Sequence, residues 1–254
     1  MSQPEHPERA DAATVDYFDA HDHHYSKQRI KGVASLLSHR VTRDSTLCDV
    51  GAGGGETLRG LAQELGLKRR NLTAMDVSRN SLARVTEKMP RVQTALVSVL
   101  DDEALAEFEG TFDVVLAAAL LHHLVGSTRR ASMDDAMHGL RNAMRMVKPG
   151  GTLVVLEPVY RPKAGSSALF WMKRATTSLT DQRISVFGYW NNIGAPVVAF
   201  YSPAQVHEMV RKVGGEIIAT QSTPERVGWG SKLMRKDNLT VIAAKPAPAP
   251  DSHV

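Results

Sequence analysis

A doubly wound α/β fold around a seven-stranded, mostly parallel sheet is predicted by three features of the sequence. Short β-rich runs alternate with helical patterns along most of the chain, the order that builds a parallel sheet covered on both faces. A glycine-rich turn follows the first of these runs. Two amphipathic helices carry recognisable start or stop signals at their ends.

In chain order the strand candidates are Thr46 to Val50, Leu72 to Asp76, Val92 to Val99, Phe112 to Ala117, Thr152 to Glu157, Glu216 to Gln221 and Leu239 to Ala244. The clearest helix runs from about Ser132 to Val147, where Met133, Ala136, Met137, Leu140, Ala143, Met144 and Val147 recur at three-and-four spacing. Lys148, Pro149 and the pair Gly150, Gly151 stop it. A second helix, SPAQVHEMVRKVGG, has Ser202 as N-cap, Pro203 at its first position, and Val206, Met209, Val210 and Val213 on one face. The methionines of both helices read as core packing against the sheet.

One segment breaks the alternation. Val159 to Phe200 holds seven of the fourteen aromatic residues, namely Tyr160, Phe170, Trp171, Phe187, Tyr189, Trp190 and Phe200. It also carries Arg161, Lys163, Lys173, Arg174 and Arg183 against a lone Asp181, a balance that suits a carboxylate or phosphate. An aromatic-rich, helical cap over a flat apolar pocket is expected there; a satellite core or a homodimer contact is the alternative use of the same aromatics.

At 254 residues and 43% hydrophobic content the chain supports one substantial core, so one domain with an insertion is expected. No run of eighteen apolar residues occurs, and MSQPEHPERADAAT lacks the order of a secretory signal. No membrane span and a cytoplasmic location are the expectations. The single cysteine, Cys48, sits in the apolar run TLCDV and reads as a core residue. A net charge of +4 without any block of five or six Lys and Arg argues against a nucleic-acid partner.

The sharpest local signal is LCDVGAGGGETL, in which Asp49 ends a strand and Gly51, Gly53 and Gly55 precede a helix. Such glycines let the backbone turn tightly and approach a ligand. A dinucleotide turn wants G-x-G-x-x-G, but position 56 is Glu56, whose charge would also repel a pyrophosphate.

The pattern Asp-x-Gly-x-Gly-x-Gly instead resembles the first motif of the class I S-adenosylmethionine-dependent methyltransferases, a seven-stranded Rossmann-like family. The likeness continues through LTAMDVS, through FDVVLAAALLHHL and through LRNAMRMVKPGGTLVVLEP, and covers about Thr46 to Pro158. It implies S-adenosyl-L-methionine as cofactor and S-adenosyl-L-homocysteine as product. Asp49 would lie near the methionine moiety, and Asp76 would accept hydrogen bonds from both ribose hydroxyls, a task for two acceptor oxygens. Val77, Ser98, Val99, Ala117 and Ala118 would line the rest of the cofactor. Where the family often has an aspartate for adenine, this sequence has Ser98 in VSVLDD, with Asp101 three residues on, so Ser98, Val99 and Asp101 all stay open for that contact.

The same resemblance divides the chain into N-terminal lid helices over 1–40, a cofactor-binding core over 41–158, a substrate-cap insertion over 159–200, a C-terminal part of the core over 201–245 and a disordered tail over 246–254. YFDAHDHHYSKQ resembles the short helix that closes over the cofactor, with Tyr17, Phe18 and Tyr25 to cover it. His21, His23 and His24 lack metal-site spacing, and no metal is expected. Methyl transfer from a sulfonium needs the acceptor oriented and, where protonated, deprotonated. His122 and His123, past the fourth strand, are candidate bases; Glu157 and Tyr160 are candidates to orient the acceptor. The implied function is methylation of oxygen or carbon on a small hydrophobic, aromatic or polyketide-like metabolite. The alternatives are a nucleic-acid or protein acceptor, disfavoured because AAALLHH replaces the Asn/Asp-Pro-Pro-Tyr pattern, or cofactor binding without methyl transfer.

Overall fold

Every residue of Leu47–Val50 (β1) is buried, because this strand lies inside the sheet between Leu72–Asp76 (β2) and Phe112–Ala118 (β4). The computed structural model describes residues 26–177, 184–186, 190–193, 197–225 and 235–247. Gln93–Leu96 (β3) pairs with β2, and Val147–Arg161 (β5) pairs with β4. Glu216–Pro224 (β8) and Arg235–Ala244 (β9) complete one seven-stranded sheet in the order β3-β2-β1-β4-β5-β9-β8. All pairings from β3 to β5 are parallel; β9 runs antiparallel to both β5 and β8.

Strand order reverses between β1 and β4, and there the carboxyl edge of an open sheet leaves a crevice for ligands. Side chains alternate across the sheet, so each face builds its own core. On one face Leu47, Ala74, Leu116, Leu156 and Ile242 pack with Lys27–Leu37 (α1), Glu56–Leu65 (α2) and Arg79–Lys88 (α3). On the other, Cys48, Val115, Val155 and Val241 pack with Asp102–Leu105 (α4), Arg129–Met146 (α5) and, after the insertion, a further helix over Pro203–Lys212. Cys48 is fully buried, as its apolar run implied. Leu140 is fully buried at the heart of the second face. Leu140→Ala is therefore expected to cost about 3 kcal/mol of stability, read as a lowered midpoint in urea unfolding.

All seven expected strands are present, but their ends differ: β5 already begins at Val147, so that Lys148 to Gly151 lie within it, β8 runs on to Pro224 and β9 begins at Arg235. β3 is shorter than expected, since the chain turns at Ser98, whose carbonyl accepts from the Asp101 amide. β5 continues to Arg161, because β9 pairs with it without interruption from Thr152↔Ala244 to Arg161↔Arg235. α5 starts at Arg129, before Ser132, because the Thr128 hydroxyl caps the Ala131 amide. The Ser202 N-cap stands as expected, reinforced by Gln205 in a reciprocal capping box.

The insertion contains the helix Lys163–Thr177 (α6) and, beyond the helical cap expected there, a two-stranded sheet of Ile184–Val186 (β6) and Trp190–Ile193 (β7). The chain then returns against the end of β5, where Val159 bridges Tyr201 and the Tyr160 amide donates to the Tyr201 carbonyl; Pro203–Lys212 follows as α7. Among the described residues no helix is long and apolar enough to cross a membrane.

Candidate active site

β1 delivers the glycine turn to the switch point. The Gly51 and Ala52 amides both donate to the Met75 carbonyl, which ties the turn to the end of β2. Gly51 has φ +72, and a Cβ there would stand 2.9 Å from Leu120 Cδ1 in the loop after β4. Gly53 has φ +52, and a Cβ there would meet no atom of the described residues within 4 Å, so its backbone borders open space among them. Gly55 is the N-cap of α2.

Two carboxylates flank this turn. Asp76 accepts from the Gly53 amide through Oδ2 at 2.8 Å and from the Ser78 amide through Oδ1 at 2.9 Å, which fixes a two-oxygen acceptor beside the glycine turn. Asp49 is buried, and its Oδ1 has no hydrogen-bond partner among the described residues. Burial, and then the charge of Asp76, push its pKa well above the usual carboxylate range. An orphaned acid beside an open glycine backbone fits a ligand that brings both hydroxyls and a positive charge, as S-adenosylmethionine does.

Of the adenine candidates, Asp101 is committed to capping α4 through the Ala104 amide at 3.0 Å, and the Val99 carbonyl to Asn142. Ser98 is buried and accepts from the Leu100 amide, which leaves its hydroxyl hydrogen to donate. Ala117 and Ala118 close β4, and Ala119 follows at φ +52, an uncommon conformation for a residue with a Cβ. Val77 follows directly on β2. Glu56 turns away to Lys88 and Arg59, so its compensated charge would not repel a pyrophosphate; what disfavours a dinucleotide is the lack of glycine at position 56.

The turn after β4 and the end of β5 bring the proton-transfer candidates together. His122 Nδ1 lies 2.8 Å from Glu157 Oε2, and Glu157 Oε1 accepts from the Leu121 amide at 2.6 Å. Both side chains are buried. Burial pushes the Glu157 pKa up to about 8 against the opposing pull of backbone amides and of Arg29. The Phe200 ring stacks on His122 at 5.3 Å and meets Tyr160 at 4.6 Å. The His123 ring lies 3.9 Å from His122, tilted and less buried.

Phe200 was legible only as one aromatic among seven. Its partner Arg129, which donates to the Phe200 carbonyl and lies 4.7 Å from the Tyr201 ring centroid, was not singled out by any pattern. Lys173 reaches over the Phe200 ring at 5.9 Å, and burial pushes its pKa down to about 8. Arg161 is drawn instead to the buried Asp237. Phe170 is core, whereas Trp171 is exposed. Tyr17, Phe18, His21, His23, His24, Tyr25, Asp181, Arg183, Phe187 and Tyr189 lie outside the described residues.

A parallel sheet with one antiparallel strand next to its far edge, switched at a glycine turn between β1 and β4, is the class I methyltransferase fold. Residues 48–153 match the family described as "Methyltransferase domain". The chain is 34% identical over 138 residues to the 2-methyl-6-phytyl-1,4-hydroquinone methyltransferase of Synechocystis sp., covering 54% of this chain and 40% of that protein. It thus spans less than half the length of that curated relative. The 4+2 cyclase SpnF superposes with a TM-score of 0.59 at 17% identity, over 92% of this chain and 93% of that one. The Burkholderia thailandensis 1,6-didemethyltoxoflavin-N1-methyltransferase, with 1,6-didemethyltoxoflavin and S-adenosylhomocysteine bound, superposes with a TM-score of 0.55 at 17% identity, over 87% and 80%.

Proposed function

We propose that the protein is an S-adenosylmethionine-dependent methyltransferase acting on oxygen or carbon of a small hydrophobic or aromatic acceptor. The observation that carries this reading is the buried His122–Glu157 contact at the carboxyl edge of β4 and β5, in a loop whose Leu120 packs on Gly51 of the glycine turn. When bound, S-adenosylmethionine supplies a methyl group activated on a sulfonium. Asp76 holds the ribose hydroxyls, Asp49 answers the charge of the amino-acid end, and Gly51, Gly53, Val77, Ser98, Val99, Ala117 and Ala118 border the remainder.

An ionised Glu157 accepts the Nδ1 hydrogen of His122, which leaves Nε2 without a proton and able to take one from the acceptor. Tyr160 and Phe200 supply flat walls for an aromatic or enolisable group, and His123 borders the same space. The insertion, which contributes Tyr160 and Phe200, is the proposed substrate cap. A cytoplasmic location and a small-molecule partner belong to the same proposal.

The likeness to a cyclase keeps a second reading in view, in which the cofactor is bound without methyl transfer. Calorimetric titration is expected to give micromolar binding of S-adenosylmethionine and S-adenosylhomocysteine and none of NAD. Labelled methyl donor incubated with extracts then identifies the acceptor, and cofactor binding with no labelled product selects the second reading. NAD binding with silence toward both adenosyl compounds overturns the proposal.

A further inference from the structure

We propose that Arg29 is a positioning residue for the His122–Glu157 pair: it grips the β9 backbone opposite Glu157 and, by its charge, sets the pH at which His122 can act as a base. The inference rests on the base assigned above. Arg29 stands in the first turn of α1, outside residues 48–153 that match the methyltransferase family.

Arg29 Nη1 donates to Asn238 Oδ1 at 3.0 Å, and Nη2 donates to the Leu239 carbonyl at 3.1 Å. In the antiparallel ladder Leu239 is the direct partner of Glu157. The guanidinium is therefore fixed at the register position of the buried acid. Ile30, Val33, Ala34 and Leu37 anchor its helix to the core containing Leu156 and Ile242, while Leu239 belongs to the core on the other face. Arg29 thus bears on Glu157 through the sheet, in surroundings where charges are weakly screened.

Each element around Glu157 presents a defined group. The turn after β4 contributes His122 Nδ1 and the amides of residues 120–122, which favour the ionised acid. The returning segment contributes Tyr201, whose phenol burial keeps neutral, with Arg129 of α5 4.7 Å from its ring; nearer His122 stand the His123 ring at 3.9 Å and, over the Phe200 ring that stacks on His122, Lys173 of α6. On β9, Leu239 is apolar, and Asp237 is engaged by Arg161 and Arg235. α1 contributes Arg29, which also favours the ionised acid.

The proton arithmetic gives the sign. A protonated Glu157 donates to Nδ1 and forces the hydrogen of a neutral imidazole onto Nε2, where it blocks the base. The productive state has one proton fewer, with an ionised acid and a hydrogen on Nδ1 only. A fixed positive charge beside the acid favours that state. Without Arg29 the pair should shed its proton about one pH unit higher, roughly a tenfold loss of the competent form below its titration midpoint.

The test follows the ring of His122 by NMR in the full chain without added ligand, with labelled histidine and the signal assigned by its absence in His122→Gln. Arg29→Gln and Arg29→Met are expected to raise the apparent pKa by about one unit, and Arg29→Lys to keep the wild-type curve. Asn238→Ala, which removes one anchor and leaves the charge, is expected to give a smaller rise and serves if both neutral variants fail to fold. Unchanged titration in the folded variants, or a lysine variant shifted as far as glutamine, overturns the role of Arg29. A Glu157→Gln variant in which His122 titrates as in wild type would instead remove the pair on which the inference stands.

Discussion

Glu157→Gln is expected to slow methyl transfer by about 10²–10⁴-fold while leaving the affinity for S-adenosylhomocysteine within about twofold of wild type. The carboxamide keeps the size of the side chain and can still face the Leu121 amide and His122 Nδ1, the two groups that Glu157 meets at 2.6 and 2.8 Å. It can also donate to Nδ1, which places the ring hydrogen on Nε2 and removes the acceptor of the substrate proton. His122→Ala should fall equally far, and the double variant no further, because the two side chains act as one device. A second readout needs no substrate. Burial raises the folded-state pKa of Glu157 to about 8, above its unfolded value, so the wild type should lose stability as pH rises from about 4.5 through 8. The glutamine variant should lose this slope, as measured by thermal unfolding across that range. A glutamine variant with normal turnover would remove Glu157 from the chemistry.

The fold was legible because its signals are local. A glycine turn, an amphipathic run with a stop, and β-rich segments at regular intervals need no knowledge of the neighbours, and Ser202 shows the same for a cap. The candidate cofactor residues stand out for the same reason, since Asp49, Gly51, Gly53 and Asp76 sit at the ends of two adjacent strands that the sheet brings side by side. The acid–base side was legible as residues but not as a pair. His122 and Glu157 are 35 positions apart, and only the parallel register of β4 with β5 makes them touch. Arg29 lay beyond reach altogether. Its partners Asn238 and Leu239 are more than 200 residues away, and a cation in the first turn of a helix reads as a solvated charge until the sheet edge beside it is known. The extra strands of the insertion were hidden similarly, because its aromatics suit a helix face and a short hairpin equally well.

Asp49→Asn is expected to act in opposite directions on the free protein and on its complex. In the free protein Asp49 Oδ1 is buried without a partner among the described residues, and burial together with Asp76 raises its pKa. A carboxyl group whose folded-state pKa is raised withdraws stability as pH climbs above its unfolded value, near 4. Asparagine does not titrate, so the variant should match the wild type below about pH 4 and exceed it by about 1–2 kcal/mol at neutral pH. For the complex the sign reverses. On the proposed reading, the positive amino group of S-adenosylmethionine is the partner that Asp49 Oδ1 lacks among the described residues, and loss of the acid's charge should weaken binding by about 10–100-fold. Thermal unfolding with and without cofactor measures both effects on one sample: asparagine should raise the midpoint of the free protein and shrink the shift produced by ligand. A variant that loses stability in the free form would mean that Asp49 serves the fold, whereas unchanged affinity would move the amino-acid end of the cofactor away from β1. Such a trade, in which a residue destabilises the empty fold and is compensated by its ligand, is what a binding site built on a buried charge requires.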